Sequence, residues 1–239
     1  LRDRFGIKPL YYLNINSKIL FSSEIKPLLN YTKKKINKKI TMDFFLKQSM
    51  DHNQDTFFEN IKSIPPGSYG IVRQSKFKIL RYWSFSKIKK SKNLQSARKR
   101  INKLFSCSIK NHLVSDRKIG FFFSGGTDSL SIISKVKLFK NNPRLFTYKF
   151  LSKNGKVYGE HDKAKLIAKD LNLKIDVTTI KPEDIIKNFD KVINACEAPI
   201  TSIRQIADYL MFQRFRELKI PVAIIGHGGD ELLGGYDYN

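Results

Sequence analysis

Apolar positions change their spacing partway along this chain. In the first third they come as short runs of strand type. Residues 10–15 and 19–23 flank Asn16-Ser17, the pattern of a β-hairpin. Ser22-Ser23-Glu24 opens a short helix that ends near Leu29, and residues 30–40 form a basic connector. Thr41 is placed to cap a second short helix through Phe44, Phe45 and Leu46. Ile64-Pro65-Pro66-Gly67 is a turn, followed by strand-like stretches at 68–72 and 77–83. This third therefore predicts antiparallel hairpins with short helices.

Beyond residue 85 the pattern becomes an alternation of strands and helices. Polar, lysine-rich residues 86–93 form a linker. Ala97, Ile101, Leu104, Phe105 and Ile109 then recur at helical spacing within a helix over 94–113. Residues 119–123 are an apolar run short enough for a buried strand. A helix follows, with Leu130, Ile132, Ile133, Val136, Leu138 and Phe139 on its apolar face. Strands at 145–151, 173–180 and 221–225 alternate with helices at 162–171, from Pro182-Glu183-Asp184, and at 202–218. Such alternation implies crossover units and a parallel sheet, so the fold class is α/β. Ligands of these sheets sit beyond the carboxyl ends of the strands.

Both glycine-rich turns fall at such ends. The first, Ser124-Gly125-Gly126-Thr127-Asp128-Ser129, joins a strand to a helix, where free backbone N–H groups hold an anion. The glycines let the backbone approach a ligand, the hydroxyls of Ser124 and Ser129 add hydrogen bonds, and Asp128 suits a Mg²⁺ that phosphates also touch. It is neither G-x-x-x-x-G-K-[ST] nor G-x-G-x-x-G. The second turn runs from Gly226 through His227, Gly228, Gly229, Asp230, Glu231, Gly234 and Gly235 to Tyr236. Asp128 and Asp230 on neighbouring strand ends would suit one Mg²⁺ bridging phosphate oxygens.

Charge and cysteine content alter this picture little. The formal charge of +24 raises nucleic-acid binding. However, 34 of the 45 basic residues are Lys and only 11 are Arg, the better residue for bidentate phosphate and base contacts. A solvated basic surface is the expectation, and nucleic acid is not the expected partner. No apolar run approaches the roughly 18 residues that span a membrane. Cys107 and Cys196 lack metal-ligand spacing and are expected to be buried thiols in a reducing cytoplasm.

Taken together, the two turns resemble the glutamine-hydrolysing asparagine synthetase family. The opening Arg2-Asp3-Arg4-Phe5-Gly6-Ile7-Lys8-Pro9-Leu10-Tyr11-Tyr12 and Phe21-Ser22-Ser23-Glu24-Ile25-Lys26 are similar to the end of that family's glutaminase domain. Ile64-Pro65-Pro66-Gly67 and Arg81-Tyr82-Trp83 look like its closing strands, and Glu197-Ala198-Pro199 like the acidic-x-Pro segment before the last strand. The resemblance implies the C-terminal part of an N-terminal-nucleophile-type α+β glutaminase domain over 1–85, a linker over 86–93, and the start of a synthetase domain over 94–239. That second domain would be a doubly wound parallel sheet of the ATP-pyrophosphatase type.

The activity so implied uses ATP and Mg²⁺. Aspartate is adenylated with release of pyrophosphate, and ammonia from glutamine then gives the amide, in a cytoplasmic enzyme whose full-length form is a homodimer. By motif match Ser124, Gly125, Gly126, Asp128 and Ser129 bind ATP or pyrophosphate, with Gly226 near the nucleotide. Asp128 and Asp230 hold metal, and Asp3 holds the amino group of glutamine. The chain departs from the pattern where a nucleophilic Cys and the Arg and Asn-Gly-Glu segments would precede Leu1, so a longer parent is expected. Thr127 replaces an aliphatic residue, and His227 stands where an acid is usual and is a candidate for a catalytic role. The family's later synthetase helices and substrate-binding lysine would follow Asn239, so residues 1–239 alone are expected to make little amide. Competing readings are a related amidotransferase acting on another carboxylate or a sugar, and a basic RNA-modifying or RNA-binding protein. The last would show steep loss of nucleic-acid retention with salt.

Overall fold

Tyr11–Ile15 (β1) and Lys18–Ser22 (β2) pair antiparallel with Leu13 opposite Leu20, and Asn16 turns the chain at φ 47°. A third strand not foreseen from sequence, Ile61–Ser63 (β3), joins the other edge of β1 and sets Ile61 against Leu13. Three residues are too few for an alternation to be read. Ser68–Arg73 (β4) and Lys76–Arg81 (β5) form a separate hairpin. The computed structural model describes residues 1–16, 18–74, 76–85 and 93–235. Ser17 of the first turn, most of the 86–93 linker and Tyr236 lie outside them.

Two short helices complete this region, Lys26–Leu29 (α1) and Lys38–Lys47 (α2). The cap expected at Thr41 is instead Asn37, whose side chain accepts from the Ile40 N–H; Thr41 sits a turn inside the helix and bonds the Asn37 carbonyl. An Asn stands just ahead of the helix, whereas a Thr within it satisfies itself by bonding back one turn. Leu13, Ile25, Leu28 and Ile61 form the core.

This unit comprises Leu1–Lys89 together with Ile193–Thr201. The returning segment carries Glu197, whose carboxylate accepts from the backbone N–H of Ile25 (2.6 Å) and Lys26 (2.7 Å) at the start of α1. Those donors have no partner within the helix, and an acid there also suits the helix dipole. Replacing Glu197 by Ala should therefore cost the α1 region about 1.5 kcal/mol. The expected readout is roughly tenfold faster hydrogen exchange at the Ile25 and Lys26 amides, with α2 amides unchanged.

The second unit holds Lys90–Val192 and Ser202–Asn239. Its elements are helix Leu94–His112 (α3), strand Ile119–Phe122 (β6), helix Thr127–Val136 (α4), strand Arg144–Leu151 (β7) and strand Val157–Tyr158 (β8). There follow helix His161–Asp170 (α5), strand Ile175–Ile180 (β9), helix Pro182–Cys196 (α6), whose residues from Ile193 on belong to the first unit, helix Arg204–Glu217 (α7), strand Val222–Ile224 (β10) and helix Gly229–Leu233 (α8). β10, β6, β7 and β9 pair in parallel in that spatial order. Phe150 pairs both Ile180 of β9 and Tyr158 of β8, so the antiparallel β8 shares β7's other edge with β6.

Helices cover both faces of this sheet. On one, Phe121, Phe123 and Leu145 pack with Ile109 of α3, Ile133 and Val136 of α4, and Ala164 and Ala168 of α5. On the other, Phe146 packs with Met211 and Phe215 of α7. The α/β fold with a parallel sheet is thus as the alternation implies.

Several side chains differ from expectation. Of the α3 stripe only Ile109 is buried, while Ile101 and Leu104 are exposed. Helical spacing defines a face without saying what covers it. Leu138 and Phe139 are exposed because α4 ends at Val136. Cys107 and Cys196 are exposed rather than buried. Cys107 lies on the uncovered side of α3, and Cys196 is the last residue of α6. Among the described residues no helix is long and apolar enough to cross a membrane.

Candidate functional site

The chain runs from β6 to β7 and on to β9 in one direction across the sheet, then returns to place β10 on the far side of β6. The order therefore reverses between β6 and β10, and open α/β sheets bind ligands in the crevice at such a point. The first glycine turn leaves the carboxyl end of β6 and the second leaves that of β10.

The two turns meet there. The Asp128 carboxylate lies so close to Gly229 that a Cβ at that position would overlap Oδ2 and stand 2.8 Å from Cγ. A Cβ at Gly226 would stand 3.6 Å from Asp128 Cβ and from the Ser129 nitrogen, so this residue rides on the first turn of α4. Gly125 has φ 78°, and a Cβ there would meet the Ala164 nitrogen of α5 at 3.1 Å. Glycine is required at Gly125 both by that dihedral and by the neighbouring helix.

Gly126 is the N-cap of α4 and, lacking a side chain, leaves the first-turn N–H groups of Thr127, Asp128 and Ser129 uncapped. The two hydroxyls are spent within the loop. Ser124 Oγ accepts from the Gly126 N–H (3.2 Å) and lies 3.2 Å from Ser129 Oγ, which donates to the Gly126 carbonyl (3.1 Å). Ser129 is buried. The serines therefore fix the loop's shape, while backbone donors and Asp128 form its outward chemistry.

Asp230 is one residue beyond Gly229, in α8. Its carboxylate lies against Gly235, and its carbonyl accepts from the Gly234 and Gly235 N–H groups. Among the described residues no cluster of three or more His, Cys, Asp or Glu side chains is built to hold a metal. Two carboxylates on adjoining loops nonetheless match Mg²⁺, which prefers one or two carboxylates plus phosphate oxygens and water over an all-protein cage.

Asp3 lies in the other unit. Its Oδ1 accepts from the Phe5 and Ile7 N–H groups and its Oδ2 from that of Lys8, at 2.9–3.1 Å. Burial pulls this carboxyl up, but the backbone donors of Lys8, Ile7, Phe5 and Gly6 outweigh it and hold it below the usual carboxylate range. Arg2 fastens the same turn through Ser63 Oγ and the carbonyls of Ile64, Gly6 and Lys8. The opening motif and the Ile64-Pro65-Pro66-Gly67 turn are thereby one packed structure.

A constellation absent from the sequence reading lies on the α7 face. Arg204 lies beside the Tyr148 side chain, and the half-buried Asp208 is within electrostatic reach of Arg204 and His227. The signal was the i, i+4 spacing of Arg204 and Asp208 near the helix start. A cavity of about 860 Å³ lined by Asn142, Arg144, Lys174 and Asp176 lies at the amino ends of β7 and β9. Its acid is already committed to Arg144 and Arg214, so it offers no comparable chemistry.

Comparison with known proteins follows this division. The family described as Asparagine synthase matches residues 100–239, and the one described as Glutamine amidotransferase domain matches residues 1–83. Asparagine synthetase [glutamine-hydrolyzing] 1 of Bacillus subtilis is 28% identical over 239 residues, covering 99% of this chain and 37% of that protein. Asparagine synthetase [glutamine-hydrolyzing] 2 of the same organism is 26% identical, covering 99% and 34%. Amidase chyE of Penicillium rubens is also 26% identical, covering 99% and 37%. The chain spans little more than a third of the length of these relatives.

Proposed function

This chain belongs to the asparagine synthase family, and we propose that the protein carrying it is an ATP-dependent carbon–nitrogen ligase that amidates the side-chain carboxylate of aspartate with ammonia drawn from glutamine. The observation that carries this reading is the packing of Asp128 against Gly229 at the reversal point between β6 and β10. The sheet is read as the ATP-pyrophosphatase type and residues 1–85 as the end of an N-terminal-nucleophile-type glutaminase domain.

Chemically, the carboxylate oxygen attacks the α-phosphorus of ATP and pyrophosphate leaves. The uncapped N–H groups at the start of α4 bind the leaving pyrophosphate, where charge accumulates. Gly125 and Gly126 bring the backbone to the phosphates, and the Ser124–Ser129 pair keeps that backbone in place. Gly226 walls the nucleotide side of the cleft. Asp128 and Asp230 would hold Mg²⁺, which when bound supplies neutralisation of phosphate charge. Ammonia then attacks the acyl carbon and AMP departs. The Asp3 carboxylate, held ionised by its backbone donors, would take the ammonium of glutamine.

The test is ATP–pyrophosphate exchange by the intact protein with aspartate, other carboxylates and RNA as separate acceptors. Aspartate-driven exchange is the expected result. Exchange driven only by another carboxylate would move the protein to a related amidotransferase. Exchange driven only by RNA, or none at all, would overturn the assignment.

A further inference from the structure

The orientation of α7 brings its first turns to the chemical end of the sheet. The helix feeds β10 through the short connector 218–221, so its carboxyl end lies at the amino ends of the strands and its amino end at their carboxyl ends. Two contacts agree with this. Arg214, late in α7, pairs with Asp176 near the start of β9 at 3.2 Å, whereas Arg204, its first residue, reaches Tyr148 further along β7. Asp208, one turn in from Arg204, therefore stands at the end from which the two glycine turns emerge, with His227 of the second turn in electrostatic range.

Several features make Asp208 unusual. It is half-buried, and among the described residues no hydrogen bond or ion pair within 4 Å engages it. A partly desolvated carboxylate held beside charges without being consumed by them is a cost that the fold alone does not require. Three elements face it or its immediate neighbours: Arg204 on its own helix, His227 after β10, and Tyr148 on β7, which Arg204 and Glu160 both influence. Burial pushes its carboxyl up, against the opposing pull of His227 and then Arg204, which makes the carboxylate a stronger base than an exposed one.

We propose that Asp208 is the proton acceptor for the amine that attacks the activated carboxylate. The inference rests on the adenylation reading above. In the step, the nitrogen lone pair forms the new C–N bond and the C–O bond to AMP breaks. The nitrogen's surplus proton moves to an Asp208 oxygen, leaving a neutral amide and a carboxylic acid that water then deprotonates.

The experiment compares Asp208→Asn and Asp208→Glu with the parent in the intact protein, supplied with free ammonia so that glutamine hydrolysis plays no part. Two rates are measured across pH: acceptor-driven ATP–pyrophosphate exchange and ammonia-dependent amide formation. The expected result for Asp208→Asn is a fall of about 100-fold in the ratio of amide formation to exchange. In the parent, amide formation should rise with pH as Asp208 deprotonates, and Asp208→Asn should lose that limb. Asp208→Glu should restore part of the ratio. An unchanged ratio would overturn the inference, as would a raised acceptor KM in exchange with kcat preserved, which would make Asp208 a recognition group. Equal loss of both rates with a lowered Tm would also overturn it, marking the residue as structural. Absence of exchange in the parent would instead strike the adenylation reading itself.

Discussion

Asp128→Asn should lower acceptor-driven ATP–pyrophosphate exchange in the intact protein by about 100- to 1000-fold, the scale seen when one preorganised transition-state contact is removed, while leaving the unfolding temperature unchanged. Asn has nearly the same shape, so the contact with Gly229 survives. What is lost is the charge. Among the described residues no hydrogen bond or salt bridge uses the Asp128 carboxylate, although it is partly buried. The helix dipole favours this charge by about 0.3–1 kcal/mol, and relief of a partly buried, unpaired carboxylate offsets that loss in the amide. The exchange assay and a thermal melt on the same variant separate the possibilities. A melt that falls together with the exchange rate would make Asp128 a structural residue.

The second large effect is on stability. Gly120→Ala should destabilise the sheet unit by about 1–3 kcal/mol through overpacking, a fall of roughly 2–12 °C in Tm for a chain of this size. Strand propensity alone gives the opposite sign, since Gly weakens a strand relative to residues with a side chain. Packing decides the matter here. A Cβ at Gly120 would stand 2.6 Å from Phe215 Cε1 and 2.8 Å from Phe146 Cε2. The two rings are themselves 4.2 Å apart between centroids, so neither has room to withdraw. Because the clash is with Phe215, Gly120→Ala combined with Phe215→Leu should cost less than the sum of the single changes. Strict additivity in urea melts would exclude this contact as the cause.

Which parts of this fold the sequence discloses follows from the range of the forces involved. Apolar runs such as Ile119–Phe122 and helical spacing such as that of Ile133 and Val136 are local, and the elements formed as that spacing implies. The capping of α2 was misread because Asn37 and Thr41 are both competent caps and only backbone geometry chooses between them. Strand β3 is held by pairing with the distant β1, and β8, which folds straight back on β7, has only two residues and no pattern of its own.

At the candidate site the glycines and Asp128 were legible because Ser124-Gly125-Gly126 combines turn chemistry with an acid in a helix's first turn. The inward use of the Ser124 and Ser129 hydroxyls was not, since a hydroxyl's partner is decided in three dimensions. Nor was Asp208, which acquires its neighbours only when α7 folds back across the sheet. The exposure of Ile101 and Leu104 teaches the same lesson for α3: periodicity announces a face, and burial depends on what arrives to meet it.

Glu197 carries a consequence for biosynthesis. The anion that completes the first turn of α1 leaves the ribosome roughly a hundred residues after the rest of its unit, a delay on the order of 5 to 20 s at ordinary translation speed. During that interval the Ile25 and Lys26 amides are without their final acceptor. The first unit therefore cannot mature strictly in the order of its synthesis, and a ribosome-bound intermediate stalled before Glu197 emerges should present a frayed α1.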